Sequence, residues 1–308
     1  MSDSTLNIKK RKSSSVNKLP LGFICICILP AVFFVLLFTI YPAYQALSLS
    51  MTNTGSIALG RGEFIGFGNY LQMFNNRVFW EAFSNTMWLI AIVPAITIFL
   101  SVVFAFVLTQ SKLREKGIYR VLFFLPSVLS LVVVAVVWAA LLGPRAISPI
   151  NSVLGFFGIE PLMWLGDPNV ALGAIMIVLI WQAVGYYMIL LVSSIDSINK
   201  EVFEAADIDG ASGTIKLFRI TFPLVKDNIG IAYVLSAAGT MVISFVLANV
   251  MTGGGPGNAT LVLLGHVINS MFAGIAFGYA MAVAVFTLAI SILLAVVVRV
   301  LTYRSESS

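Results

Sequence analysis

Uncharged polar and aromatic residues recur inside two long apolar stretches of the sequence. They are Trp181, Gln182 and Tyr186 in the first stretch, and Ser236, Thr240, Ser244 and Asn249 in the second. Such side chains offer hydrogen bonds and aromatic surface without bringing a charge into an apolar environment. We therefore interpret Trp181, Gln182, Tyr186, Ser244 and Asn249 as a path for a neutral, polyhydroxylated solute rather than for an ion. The alternative is that these residues hold helices together in lipid.

A charged segment with interspersed glycines, residues 197–226, separates the two stretches. Its first part predicts a short helix through Glu204, after which Gly210 can adopt backbone angles that other residues avoid. A second short helical pattern follows, and Pro223 predicts its end. The pattern is typical of a helix-turn-helix that docks into another protein. An amphipathic helix pair that lies in the membrane interface is the alternative.

Residues for catalysis or metal binding do not come together in the sequence. His266 is the only histidine, and no group of His, Cys, Asp and Glu has the spacing of metal ligands. No stretch matches G-x-x-x-x-G-K-[ST], the pattern of a loop that binds the phosphates of ATP. We therefore predict that the chain is not an enzyme and holds no metal or cofactor. A purely structural membrane scaffold is another alternative, but it does not explain the pattern of residues 197–226.

The composition predicts an all-α membrane protein. Apolar residues make up 59% of the 308 residues and charged residues only 10%, whereas ordinary soluble domains carry about 25% charged residues. Six apolar stretches are long enough to cross a bilayer. They comprise residues 21–48, 85–110, 118–142, 170–194, 228–250 and 276–301.

The distribution of basic residues predicts the orientation of these six helices. With the N-terminus in the cytoplasm, only Arg61, Arg77 and Arg145 of the 18 Lys and Arg residues fall outside. Cytoplasmic loops carry an excess of positive charge, so both termini and residues 197–226 are predicted to be cytoplasmic. Residues 1–19 are predicted to be a disordered tail, residues 20–302 the membrane domain and residues 303–308 a second short tail.

Residues 204–223 closely resemble the EAA loop of ABC importer permeases. Its signature is Glu-Ala-Ala, Gly after three residues, Ile after nine more, then one residue of any type, a large apolar residue and Pro. Every spacing is kept in this chain, and the matching residues are Glu204, Ala205, Ala206, Gly210, Ile220, Phe222 and Pro223. Two further stretches resemble the carbohydrate-uptake branch, the relatives of the maltose and glycerol-phosphate permeases. They are FIGFGNY at 64–70, which leads to Asn85-Thr86, and TGGGPGNAT at 252–260.

The resemblance covers residues 20–302 and implies the fold of a type I ABC importer permease in the plasma or inner membrane. It implies import of a sugar or oligosaccharide, with another polar solute such as a glycerol phosphate as the alternative. An ion-coupled secondary transporter is the more distant alternative, and the absence of charged residues in the middle of the predicted spans weighs against it.

The resemblance also implies partners: a second homologous permease, two ATP-binding subunits that hold ATP and Mg²⁺, an extracellular solute-binding protein and the bilayer, but no nucleic acid. It implies that the ATPase is contacted by Glu204, Ala205, Ala206, Asp209, Gly210, Ala211, Ile220 and Pro223. It further implies that Gly254, Gly255 and Pro256 meet the solute-binding protein. A plain turn between two spans is the alternative for these three residues.

Overall fold

The computed structural model describes residues 21–55, 62–111, 114–143, 148–272 and 277–304. Almost all of their regular structure is helical, and the extended backbone pairs at one isolated bridge, between Thr52 and Phe64. The predicted tail at 1–19 lies outside the described residues, and so do residues 305–308 of the second tail. The chain divides into two units, of which the first ends at Gln45 and the second begins at Ala46.

The first unit contains α1 (Leu21–Val35), a π-helical stretch (Leu36–Ile40) and the beginning of α2 (Tyr41–Ser50). Pro42 follows the π-helical stretch by two residues. Proline has no N–H group, and its ring crowds the carbonyl four residues earlier. The wider π turn relieves that conflict and lets the helix continue past the proline.

The second unit contains twelve further helices within the described residues. They are α3 (Gly68–Phe74), α4 (Arg77–Gln110), α5 (Lys116–Val128), α6 (Leu131–Leu141), α7 (Pro149–Gly155), α8 (Ala171–Asp196), α9 (Lys200–Ile208), α10 (Gly213–Ile215), α11 (Phe222–Leu224), α12 (Lys226–Thr252), α13 (Leu263–Phe272) and α14 (Phe277–Arg304). A second π-helical stretch, Lys216–Thr221, joins α10 to α11.

Five described helical stretches are long and apolar enough to cross a membrane without a break: Ile26–Ser50, α4, α8, α12 and Phe277–Val296. The sixth predicted span, residues 118–142, is wrong as one straight helix, because α5 and α6 meet at an angle of 96°. Leu129 and Ser130 have extended backbone angles, with ψ of 147° and 129°. At about 1.5 Å per residue, neither half alone reaches across the roughly 30 Å of the hydrocarbon core.

The long helices of the second unit pack around α8, which contacts α4, α5 and α12. An inner core lies toward the predicted cytoplasmic end, where Met188, Leu191 and Ile195 of α8 are buried together with Phe203 and Leu217. An outer core joins α4, α6, α8 and α12. Since Phe203 and Leu217 belong to the segment 197–226, that segment is anchored in the same core as the spans.

Candidate functional site

A polar cavity of about 220 Å³ lies between α4, α5, α8 and α12. Its polar wall consists of Ser127, Gln182, Tyr186, Tyr187, Ser236 and Thr240. Gln182 and Thr240 lie near the middle of α8 and α12, so the cavity is at the midpoint of these spans. No charged side chain is found among the described residues that line the cavity. Its hydroxyl and amide groups can therefore exchange hydrogen bonds with an uncharged ligand.

Only two of the five predicted path residues, Gln182 and Tyr186, lie on the wall of this polar cavity. Trp181 faces away and lines a separate, largely apolar cavity of about 670 Å³ between α4, α5 and α8. Ser244 is buried, and its hydroxyl donates to the carbonyl of Met241 at 3.4 Å. Asn249 lies on α12, beyond the cavity residue Thr240 and beside the loop after this helix. Ser127, close to the bend of the third span, also lines the polar cavity, and no pattern in the sequence predicts it there.

The segment 197–226, here called the coupling segment, forms the predicted helix-turn-helix. Its first helix, α9, ends at Ile208, and Gly210 follows with a left-handed φ of +71°. The Gly210 N–H donates to the carbonyl of Asp207 at 3.1 Å, and the Ala211 N–H donates to that of Ala206 at 2.9 Å. This pair of bonds is the Schellman motif, in which a glycine after the helix lets the chain reverse.

The prediction that Pro223 ends the second helix is wrong. Pro223 is the middle residue of the short helix α11, and the helical path ends at Val225, whose φ is −107° and ψ is 14°. The π-helical stretch Lys216–Thr221 directly precedes α11. As at Pro42, the wide turn makes room for a residue that has no N–H and whose ring crowds the preceding turn.

The coupling segment has one buried face and one exposed face. Phe203, Ala206 and Leu217 are buried, and Ile220 packs half-buried against the inner core. An ion pair between Lys216 and Asp207 links the two helices. The exposed face includes the predicted residues Glu204, Ala205, Asp209, Gly210 and Pro223, whereas Ala211 is half-buried.

The exposed face of the coupling segment is also apolar in part. The side chain of Ile208 is 87% exposed, and Val202 and Phe218 are exposed as well. Val202, Ala205 and Ile208 follow one another at intervals of three residues, so they share a face of α9. Apolar side chains left exposed outside the spans are a mark of a surface that binds another protein.

The loop after α12 is held against the beginning of α4. The Asn85 side-chain amide donates to the carbonyls of Asn258 and Leu261, at 2.9 and 3.0 Å. The N–H of Leu263 donates to the hydroxyl of Thr86 at 2.9 Å, and the Asn258 amide donates to Glu81 at 3.1 Å. We call these contacts the outer clamp. These contacts give a structural role to the Asn85-Thr86 pair, which follows the FIGFGNY stretch in the sequence.

The predicted contact residues Gly254, Gly255 and Pro256 lie within the loop that the outer clamp holds. Gly254 is buried, while Gly255 and Pro256 are half-buried and the neighbouring Gly257 is exposed. The Thr260 hydroxyl donates to the carbonyl of Gly255 at 2.8 Å. The loop therefore has a fixed shape and presents its Gly255–Gly257 side outward.

His266 is a packing residue of the described chain. Its Nε2 lies 2.9 Å from the hydroxyl of Tyr279, to which the Asn76 amide donates at 3.0 Å. Burial lowers the pKa of His266, so the neutral imidazole is favoured. The described residues contain no group of three His, Cys, Asp or Glu side chains that could hold a metal ion.

Residues 64–306 match a family of membrane transport proteins, which is described as "Binding-protein-dependent transport system inner membrane component". The match includes the coupling segment, the polar cavity and the outer clamp. This chain belongs to that family. As a member it is a multi-pass component of the inner membrane, and its role is the transport of a solute rather than catalysis.

Two relatives show where the chain lies within the family. Diacetylchitobiose uptake system permease protein NgcF of Streptomyces coelicolor is 32% identical over 280 residues, which are 87% of this chain and 78% of that protein. Lactose transport system permease protein LacF of Rhizobium radiobacter is 32% identical over 246 residues, 79% and 81% of the two chains. Both relatives are named as permease proteins of a sugar uptake or transport system.

The fold agrees with that of a solved bacterial transporter. The crystal structure of a bacterial alginate ABC transporter in complex with alginate pentasaccharide-bound periplasmic protein matches with a TM-score of 0.74. The sequences are 20% identical, and the match covers 92% of each chain. The all-helical importer permease fold that the sequence predicts is therefore confirmed.

Proposed function

We propose that this chain is one of two permease subunits of an ATP-driven importer for a sugar or oligosaccharide. The polar cavity at the midpoint of α8 and α12 carries the proposal. Its amide and hydroxyl groups suit the many hydroxyls of a sugar, and the Tyr186 and Tyr187 rings offer aromatic surface. The sugars named for the relatives NgcF and LacF, diacetylchitobiose and lactose, support this solute class.

A glycerol phosphate fits the same cavity less well than a neutral sugar. Its phosphate would leave water without an Arg or Lys side chain among the described residues of the wall. A charge that is buried without a partner is strongly disfavoured. The cavity composition therefore favours the neutral solute.

The coupling segment is where we place the contact with an ATP-binding subunit. Its inner face is fixed in the inner core, and its outer face offers Glu204, Ala205 and the exposed Ile208. ATP and Mg²⁺ then belong to two partner ATPases, and a second homologous permease completes the path. Movement of the ATPases reaches the spans because Phe203 and Leu217 pack beside Met188 and Leu191.

The loop after α12 is where we place the contact with the solute-binding protein. Its Gly254, Gly255 and Pro256 backbone is held in one shape by the outer clamp, so a partner meets a preformed surface. Preformed surfaces bind with a smaller loss of conformational entropy than mobile ones. The loop and the coupling segment occupy opposite ends of α12, as delivery from outside and ATP hydrolysis inside require.

Neighbouring residues of α8 provide the test of the sugar path. Gln182→Leu removes the amide from the polar cavity with little change of volume, whereas Trp181→Phe alters the separate apolar cavity. In the complex isolated through a tag on this chain, Gln182→Leu should raise the KM for lactose or diacetylchitobiose about ten-fold, the effect of losing one or two hydrogen bonds. Trp181→Phe should leave the KM unchanged. Equal effects of the two variants would remove the polar cavity from the path.

A further inference from the structure

The inner half of the bent third span touches α8 backbone to backbone. The contact is made at Gly185, where an added Cβ would lie 1.7 Å from the carbonyl oxygen of Phe123 and 2.9 Å from Cα of Phe124. Non-bonded atoms cannot lie this close together. A residue with a Cβ at position 185 would therefore push α5 away from α8. Small residues allow this close approach of helices in membranes.

An ion pair joins the same two helices at their predicted cytoplasmic ends. Nη2 of Arg120 lies 3.7 Å from Oδ2 of Asp196. Asp196 is the last residue of α8, and α9 of the coupling segment begins at Lys200. Both side chains are about half exposed, so the pair adds little stability by itself. Together with the Gly185 contact, it attaches α5 to α8 at two points.

The outer half of the third span packs in the outer core, beside α12 and the outer part of α8. α6 packs against α12, and the two extended residues Leu129 and Ser130 separate it from α5. Ser127, two residues before this break, lies on the wall of the polar cavity. Short extended connections of this kind absorb changes of angle between packed bodies. A movement of α5 with the inner end of α8, while α6 keeps its place in the outer core, therefore changes the cavity at Ser127.

We propose that Gly185 is a positioning residue through which movement of the coupling segment reaches the polar cavity. The movement passes from α9 to the end of α8, and from α8 to α5 through the Gly185 contact and the Arg120–Asp196 pair. It ends at Ser127, with Leu129 and Ser130 as the hinge. This inference rests on the proposed function, because it assumes that an ATPase moves the coupling segment.

The test compares two glycines of α8. Gly185→Ala inserts a methyl group into the α5 contact, and Gly173→Ala is the matched control because its Cβ meets nothing within 4 Å. The tagged complex is reconstituted in liposomes with its solute-binding protein, and lactose or diacetylchitobiose transported per ATP hydrolysed is measured. Gly185→Ala should lower this ratio about ten-fold, within the range of typical coupling energies. Gly173→Ala should keep the wild-type ratio.

The ratio separates positioning from simple loss of structure. A merely destabilised complex would lose yield and both rates together, and its ratio would not change. An unchanged ratio in Gly185→Ala would overturn the inference. Sugar that fails to stimulate ATP hydrolysis in the wild-type complex would instead contradict the proposed function, so the two failures are distinguishable.

The ion pair provides a second test if Gly185→Ala prevents assembly. Asp196→Arg alone should lower the transport ratio about two- to five-fold, as the loss of a half-exposed pair allows. Adding Arg120→Asp, which exchanges the two charges, should restore it. A single variant with the wild-type ratio, or a double variant no better than the single one, would overturn the inference.

Discussion

Gly210 and Gly185 are glycines for two different physical reasons. At Gly210 the reason is the backbone angle, because φ is +71°. Space is not the reason there, since an added Cβ would meet nothing within 4 Å. At Gly185 space decides, because the carbonyl of Phe123 occupies the place of a side chain. Asparagine, which tolerates the left-handed conformation, can therefore replace Gly210 but not Gly185.

The backbone requirement at Gly210 leads to a prediction for the coupling segment. Gly210→Ala should destabilise the end of α9 by about 1 kcal/mol, because a Cβ opposes the left-handed angle. We expect a corresponding loss of sugar-stimulated ATP hydrolysis and weaker retention of the ATPase during purification. Gly213→Ala is the control, since Gly213 begins α10 and an added Cβ meets nothing within 4 Å. Gly210→Asn should lie between wild type and Gly210→Ala, and wild-type behaviour of Gly210→Ala would contradict the argument.

At the scale of elements, the sequence predicts where helices are but not how each proline acts. Pro94 lies within the unbroken α4, whereas Pro126 lies three residues before the 96° bend. Pro42 and Pro223 each follow a π-helical stretch. All four look alike in sequence. The local structure at each proline depends on packing, because the neighbouring helices determine whether its helix stays straight or the residues after the proline become extended.

The candidate site could be predicted from the sequence only in part. The coupling segment was predictable, and the wall of the polar cavity was not. The spacing from Glu204 to Pro223 identifies the coupling segment without any structure, since every position of the motif is local. The path residues depend on rotation of α8 about its axis. Trp181 and Gln182 are adjacent and point about 100° apart, and in the structure only Gln182 lines the polar cavity. The sequence alone contains no signal that selects Gln182, nor one that brings Ser127 to the same wall from another span.

The outer clamp provides a prediction at the scale of elements. Asn85→Ala removes the two hydrogen bonds that the Asn85 amide makes to the loop after α12 and leaves two carbonyls without that donor. The variant should lose about 1–3 kcal/mol of stability, visible as a lower Tm of the protein in detergent. Ser84→Ala, at an exposed neighbouring position, should keep the wild-type Tm. Equal Tm values for Asn85→Ala and Ser84→Ala would show that the Asn85 hydrogen bonds contribute nothing to stability.

At the scale of the whole molecule, the coupling segment and the outer clamp require opposite sides of the membrane. The positions of the Lys and Arg residues predict which side each one faces. α12 carries the coupling segment at its beginning and the clamped loop at its end, and α8 and α12 hold the polar cavity between them. Orientation therefore decides whether the solute receptor and the ATPase can reach their proposed surfaces.

Cysteine labelling in intact cells measures this orientation. In a background with Cys25→Ala and Cys27→Ala, Phe156→Cys should react with an impermeant thiol reagent, because Phe156 is 94% exposed after α7 on the predicted outer side. Ser212→Cys, exposed in the turn of the coupling segment, should react only after the membrane is opened. Labelling of Ser212→Cys from outside would reverse the orientation and the assignment of both partner surfaces.

The outer clamp also has a consequence for biosynthesis. Its partners are far apart in the chain, since Asn85 lies 173 residues before Asn258 and 176 before Leu261. A ribosome adds about 5–20 residues per second. The loop after α12 is therefore synthesised roughly ten seconds or more after α4. During that interval neither of the two carbonyls that accept from the Asn85 amide has been synthesised. The clamp is thus a late contact of assembly, and its closure marks a chain whose fifth span has been inserted.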